Sequence, residues 1–166
     1  LIVVWLLAVV ADAGWVPTPP LLPLVVGWLV MFSLPGRVLV GAATVRALTA
    51  GLKPGHYPRG SWNHLRVWAA ERVVVYNKYD VLTGTPMART LHRLFGNTVG
   101  RDAHLYNTPP VTGLVRVGDH ATVEFEADLS GYWLDGDVFH VGAIEIGEHA
   151  RVGTRTLVDP GMHVGA

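Results

Sequence analysis

Membrane α-helices followed by an all-β, left-handed parallel β-helix of hexapeptide repeats is the fold class this sequence predicts. Three observations point there. The N-terminal third is almost free of charge: through residue 53 only Asp12, Arg37, Arg46 and Lys53 carry one. From Val99 onward an aliphatic residue recurs every six positions. Glycine or another small residue fills the companion positions in most of those hexads. The expected organisation is 1–50 as transmembrane helical segment(s), 51–97 as a basic linker with amphipathic helices, and 98–166 as a truncated β-helix.

The totals set outer limits. Of 166 residues, 50% are hydrophobic and 16% are Asp, Glu, Lys or Arg, against about 25% charged in an average soluble domain. Net charge is zero, so no nucleic-acid partner is expected. The absence of cysteine excludes a disulfide framework, a thiolate zinc site and a cysteine nucleophile. Leu1 lies inside an apolar run and Ala166 inside a repeat, so the sequence reads as an excerpt of a longer protein.

The run from Leu1 to Ala11 is uncharged but shorter than the roughly 20 apolar residues that cross a bilayer as a helix. It reads as the tail of a span; no basic residue precedes it to make a signal peptide. Three prolines make Asp12 to Pro20 a loop. Leu21 to Leu34 follows, with ten of its fourteen residues Leu, Val, Met or Phe. These favour insertion by roughly 3 to 6 kcal/mol. The expected span runs from Leu21 to about Val40, with Arg37 snorkelling near its end, or kinks at Pro35 and continues to Val45. Arg46, Lys53, Arg59, Arg66 and Arg72 lie beyond it. By the positive-inside rule the β-helix then sits on the cytoplasmic side of the cell membrane, with membrane lipid as a partner.

Gly51 to Gly60 reads as a loop from its Gly and Pro content. Ser61 is a candidate N-cap for a helix beginning at Trp62. There Trp62, Leu65, Trp68, Ala69 and Val73 recur at helical spacing, and Trp with Arg beside a span suggests an interfacial position. Thr85-Pro86 opens a second short helix that Gly96 stops.

The repeat is the strongest signal. Val99, Leu105, Val111, Val117, Val123 and Leu129 lie six apart, and Ile146, Val152, Val158 and Val164 resume the period. Glycine follows at Gly100, Gly118, Gly147, Gly153 and Gly165. Three hexads make one coil of about 18 residues, in which each inward aliphatic side chain stacks on its equivalent one coil away. Small neighbours let the chain corner, and glycine tolerates unusual dihedrals there. A sandwich would show period-two runs instead. The register breaks once, because Leu129 and Ile146 are seventeen residues apart. Ser130 to His140 should therefore protrude as a loop, offering Tyr132, Trp133, Asp135, Asp137 and His140. Such loops carry function more often than the coils do.

The string LSGYWLDGDVFHVGAIEIGEHARVGTRTLVDPGMHVGA at Leu129 to Ala166, with LFGNTVGRDAHL at Leu94 to Leu105, resembles the C-terminal region of polylysine-synthetase-type nonribosomal peptide synthetases. The resemblance implies adenylation and carrier domains in the same polypeptide, a phosphopantetheine cofactor on the carrier, and neighbouring β-helix copies forming a trimer or pseudo-trimer. It also implies a reaction: attack of an amine on a thioester, forming an amide. That chemistry needs a general base and oxyanion donors. His140 is the candidate base, with Asp137 as its orienting carboxylate and His120, His149 and His163 as rivals. The family carries a His where Tyr132 stands, so Tyr132 is the third candidate site residue and the main departure. Two other readings stand beside this one: a membrane-linked acetyltransferase using acetyl-CoA, and a non-catalytic scaffold copy of the module. A three-histidine zinc site lacks matching spacing, and no metal is expected.

Overall fold

The computed structural model describes Val9 and residues 21–165. The run from Leu1 to Ala11, Val9 apart, and the loop from Asp12 to Pro20 fall outside them. The chain divides into two compact units, Leu1–Arg37 and Val38–Ala166.

In the first unit, α1 (Leu21–Phe32) is a short apolar helix. Trp28 and Phe32 stack on it at 5.6 Å. Helix α2 (Leu34–Thr49) begins here and runs into the second unit. The break between α1 and α2 is local chemistry. The Ser33 hydroxyl accepts the Gly36 backbone N–H at 3.2 Å, the bond of an N-cap to the third helical residue. Pro35 sits in the first turn, where its missing N–H is harmless. The expected transmembrane span is thereby corrected. Among the described residues no single helix is long and apolar enough to cross a membrane; α1 and α2 reach that length only together, and they are broken apart. The assignment to the cell membrane with a cytoplasmic β-helix loses its basis with the span.

The second unit has two adjoining clusters of buried side chains. One is made largely by helices. Val38, Ala42 and Val45 of α2 pack with Val67 and Ala70 of α3 (Trp62–Asn77), with Tyr79 and Leu82 of a 3-10 turn, and with Leu91 of α4 (Pro86–Leu94). Phe95, Val111, Phe139 and Val141 complete it. Ser61 caps α3 as expected, its hydroxyl accepting from the His64 backbone N–H at 3.4 Å. Helix α3 buries a narrow face. Val67 and Ala70 turn inward, while Trp62, Leu65 and Trp68 are exposed. Thr85 precedes α4 with Pro86 in its first turn, but its hydroxyl donates back to Leu82 O at 2.6 Å instead of capping. Gly96 ends the helix at φ +101°, a conformation glycine adopts without strain.

The other cluster is a stack of parallel strands. One sheet orders β2 (Thr98–Val99), β4 (Val115–Val117), β8 (Ile144–Ile146) and β10 (His163–Val164). Another orders β3 (His104–Leu105), β5 (Thr122–Val123) and β9 (Arg151–Val152). Partners are 18 residues apart where the hexad register is unbroken, as in Val99 with Val117 and Leu105 with Val123. An isolated parallel bridge pairs Asp128 with Leu157. Val99, Leu105, Val111, Val117, Val123, Leu129, Ile146, Val152 and Val158 are all buried, and Val164 partly so.

The fold class is nevertheless corrected. The described residues do not form an all-β left-handed β-helix. They form helices with several sheets, two parallel and one antiparallel. Two features cause this: the helices supply a core of their own, and between Leu129 and Ile146 the chain leaves its period to build a hairpin.

The role of the hexad glycines is also corrected. The residues at positive φ in the stack are chiefly not glycine but Asp102, His120, Glu126, His149 and Arg155. A Cβ on Gly118 would instead stand 2.6 Å from Glu148 N and 2.7 Å from Gly147 C. Glycine is needed there because the next layer of backbone passes too close for a side chain.

Ser130 to His140 is not an irregular loop. It contributes β6 (Tyr132–Asp135) and β7 (Val138–Val141), an antiparallel hairpin. On the far side of β7 pairs β1 (Gly55–Pro58), within the segment expected to be a loop. The order β1-β7-β6 makes β7 the central strand.

Candidate functional site

Strand β7 alternates. Phe139 and Val141 are buried, and His140 between them faces outward. Being central, β7 gives His140 a direct neighbour on each side, His56 on β1 and Trp133 on β6. All three share one face. The Nδ1 atoms of His56 and His140 lie 2.6 Å apart, with the rings at 77°. The Trp133 ring meets His140 edge-on at 5.5 Å. Beneath, Phe139 is gripped by Tyr132 at 5.2 Å and His64 at 4.9 Å, which holds the strand in place.

With both rings neutral, a nitrogen pair at this separation shares one proton. One ring donates through Nδ1–H, which leaves its Nε2 bare. The other accepts at Nδ1, so its Nε2 carries hydrogen. The dyad thus offers one basic lone pair and one N–H donor, the two functions that acid–base chemistry at a carbonyl requires.

Beside it opens a groove of about 510 Å³ whose lining includes Pro54, His56, Gly142, Glu145, Met162 and His163. The groove floor is close-packed backbone, since a Cβ on Gly142 would lie 2.6 Å from Gly161 N. Across the wall, His163 Nδ1 is 3.7 Å from Glu145 Oε2, and Arg116 Nη1 is 3.8 Å from Glu145 Oε1.

The sequence candidates fall in different places. His140 stands in the dyad. Asp137 stands in the exposed hairpin turn, about 10 Å along the strand from His140. Its backbone carbonyl accepts from Arg59 N at 2.7 Å; the ring that orients His140 is His56. Tyr132 is on β6 with its hydroxyl hydrogen-bonded to the Glu71 carboxylate. Burial, then that carboxylate, pushes the phenol well above its ordinary range. His120 and His149 stack on each other at 5.0 Å at a corner of the parallel stack, and His163 lines the groove. His56 is the residue that sequence reasoning missed. Pro54 and Pro58 bracket it and disguise a four-residue strand as a loop.

Another histidine, His92, is buried on α4. Its Nε2 lies 3.3 Å from Asn107 O and its Nδ1 has no partner. Burial lowers its pKa from 6.5 to about 4, against a smaller upward pull from the Asn107 carbonyl.

No family model matches the chain, and no solved structure is significantly similar to it. Over 143 residues it is 27% identical to the Delta-poly-L-ornithine synthetase of Acinetobacter baumannii (strain AB307-0294), covering 78% of this chain. The chain spans 11% of that protein's length. It is therefore a distant relative of a synthetase, and that relationship points to an enzyme in general terms.

Proposed function

We propose that this chain is an acyltransferase-like module of a peptide synthetase, forming an amide between a thioester-bound amino acid and an amine. The observation that carries the reading is the His56–His140 dyad beside an open groove. The distant synthetase relative supports it and favours this reading over acetyl transfer from coenzyme A. Adenylation and carrier domains of the same polypeptide supply the acyl group, held as a thioester on phosphopantetheine.

In the step itself the amine nitrogen attacks the thioester carbonyl carbon. The C–N bond forms, the C–S bond breaks, and the sulfur leaves as thiolate. The bare imidazole nitrogen takes the proton that the amine sheds and returns it to the thiolate. The oxyanion that forms at the carbonyl also needs a hydrogen-bond donor. Trp133 limits the freedom of the His140 ring and so helps keep the dyad aligned.

The test is peptide formation by the full-length synthetase carrying His140→Ala or His56→Ala. Loss of a general base lowers turnover by about 10²- to 10⁴-fold. Turnover unchanged in both variants would sink the proposal and favour a scaffold role for this module.

A further inference from the structure

We infer that His56 and His140 form a binding site for a borderline divalent cation of the Zn²⁺, Ni²⁺ or Cu²⁺ class. Imidazole nitrogen suits these ions. What matters is whether two lone pairs converge on one point, and lone pairs lie in the ring plane. The His56 and His140 rings are near perpendicular and their Nδ1 atoms face each other at 2.6 Å. An ion can take the place of the shared proton.

The contrast with the second histidine pair is geometric. His120 and His149 lie nearly parallel, 11° apart and face to face. Their ring planes are offset, so their nitrogens do not aim at a common centre. Proximity is similar in the two pairs; convergence is found in one.

The fit requires a small adjustment. With Zn–N bonds of about 2.0–2.1 Å and tetrahedral angles, two ligating nitrogens stand roughly 3.4 Å apart. The rings must separate by roughly 0.8 Å. His56 is exposed and His140 half-buried, so side-chain rotation supplies this without disturbing the β1–β7 backbone pairing. Among the described residues no group of three or more His, Asp or Glu converges to hold a metal. The cation therefore keeps open positions for water, as in exchangeable sites and unlike closed structural ones. With the ion on both Nδ1 atoms, the displaced proton passes to the bare Nε2, so neither ring keeps a basic nitrogen and the ion would inhibit; that consequence alone rests on the proposed function.

The experiment is calorimetric titration of the full chain, without a polyhistidine tag, with zinc chloride alone. Wild type, His56→Ala, His140→Ala and a His120→Ala/His149→Ala control are compared. The expected result is one ion per wild-type chain, binding lost in each dyad variant, and binding kept in the control. Ring-proton NMR on the wild type gives a reading independent of any variant's folding: His56 and His140 signals shift together on adding zinc. Absence of binding to wild type, or binding that survives either dyad variant, overturns the inference. No turnover is measured, so failure here leaves the acyl-transfer proposal to its own test.

Discussion

The Tyr132 hydroxyl donates to the Glu71 carboxylate and ties the β6–β7 hairpin to α3 across 61 residues of sequence. Its raised pKa keeps the phenol protonated at neutral pH, so it serves as a donor and not as a base. Tyr132→Phe deletes one part-buried hydrogen bond and is expected to lower unfolding free energy by about 1–2 kcal/mol. Urea unfolding measures this. The same variant in the full synthetase should keep the wild-type shape of its pH–rate profile; a shifted profile would place Tyr132 in the chemistry.

Two hexad glycines should respond differently to one methyl group. At Gly118 the added Cβ meets backbone atoms of the adjacent layer at 2.6–2.8 Å, and those atoms cannot move without breaking the stack. At Gly153 the nearest atom is Thr156 Oγ1 at 3.6 Å, an ordinary contact. Gly118→Ala should lose about 1–3 kcal/mol, and Gly153→Ala should stay within about 0.5 kcal/mol of wild type. Equal unfolding midpoints for the two variants would show that close approach is not why Gly118 is glycine.

The surface ion pairs of the stack should contribute little. Arg151 reaches Glu124 at 2.7 Å, but its side chain is 75% exposed. Exposed pairs of this kind are worth about 0.2–1 kcal/mol and fade with salt. A double-mutant cycle with Arg151→Ala and Glu124→Ala, run at low and high salt, should find a coupling in that range that shrinks as salt rises. A larger, salt-independent coupling would contradict the assignment.

What could be read in advance follows from the range of the interactions. Val99, Val117 and Ile146 declare themselves because each inward position repeats its neighbour's chemistry at a short fixed period. The caps at Ser61 and Gly96 are equally local. The dyad is not: His56 and His140 are 84 residues apart, and only the pairing of β1 with β7 joins them. The span from Leu21 to Val40 failed for a different reason. Apolar content measures the preference of residues for a nonpolar medium, but says nothing of helix continuity. One serine hydroxyl and the proline two places on were enough to end one helix and start another. Glycine misled in a third way, since its sequence period marks where chains approach, not where φ is positive.

Acid sensitivity should trace to His92. Its folded pKa, about 4, lies below the ordinary 6.5, so between those values the unfolded chain binds a proton that the folded chain refuses. Stability is then complete above pH 6.5 and is lost as pH falls toward about 4, by about 1.4 kcal/mol per unit and on the order of 3 kcal/mol in all. Asp119, held below its usual range by Arg101, behaves as a carboxylate and loses its contribution only at still lower pH, so the window belongs to the histidine. His92→Gln keeps a donor for the Asn107 carbonyl but does not titrate. Urea midpoints measured across this window should fall less steeply for His92→Gln than for wild type. Parallel curves would mean that the buried imidazole is already protonated in the folded chain, or that it gains water whenever it needs it.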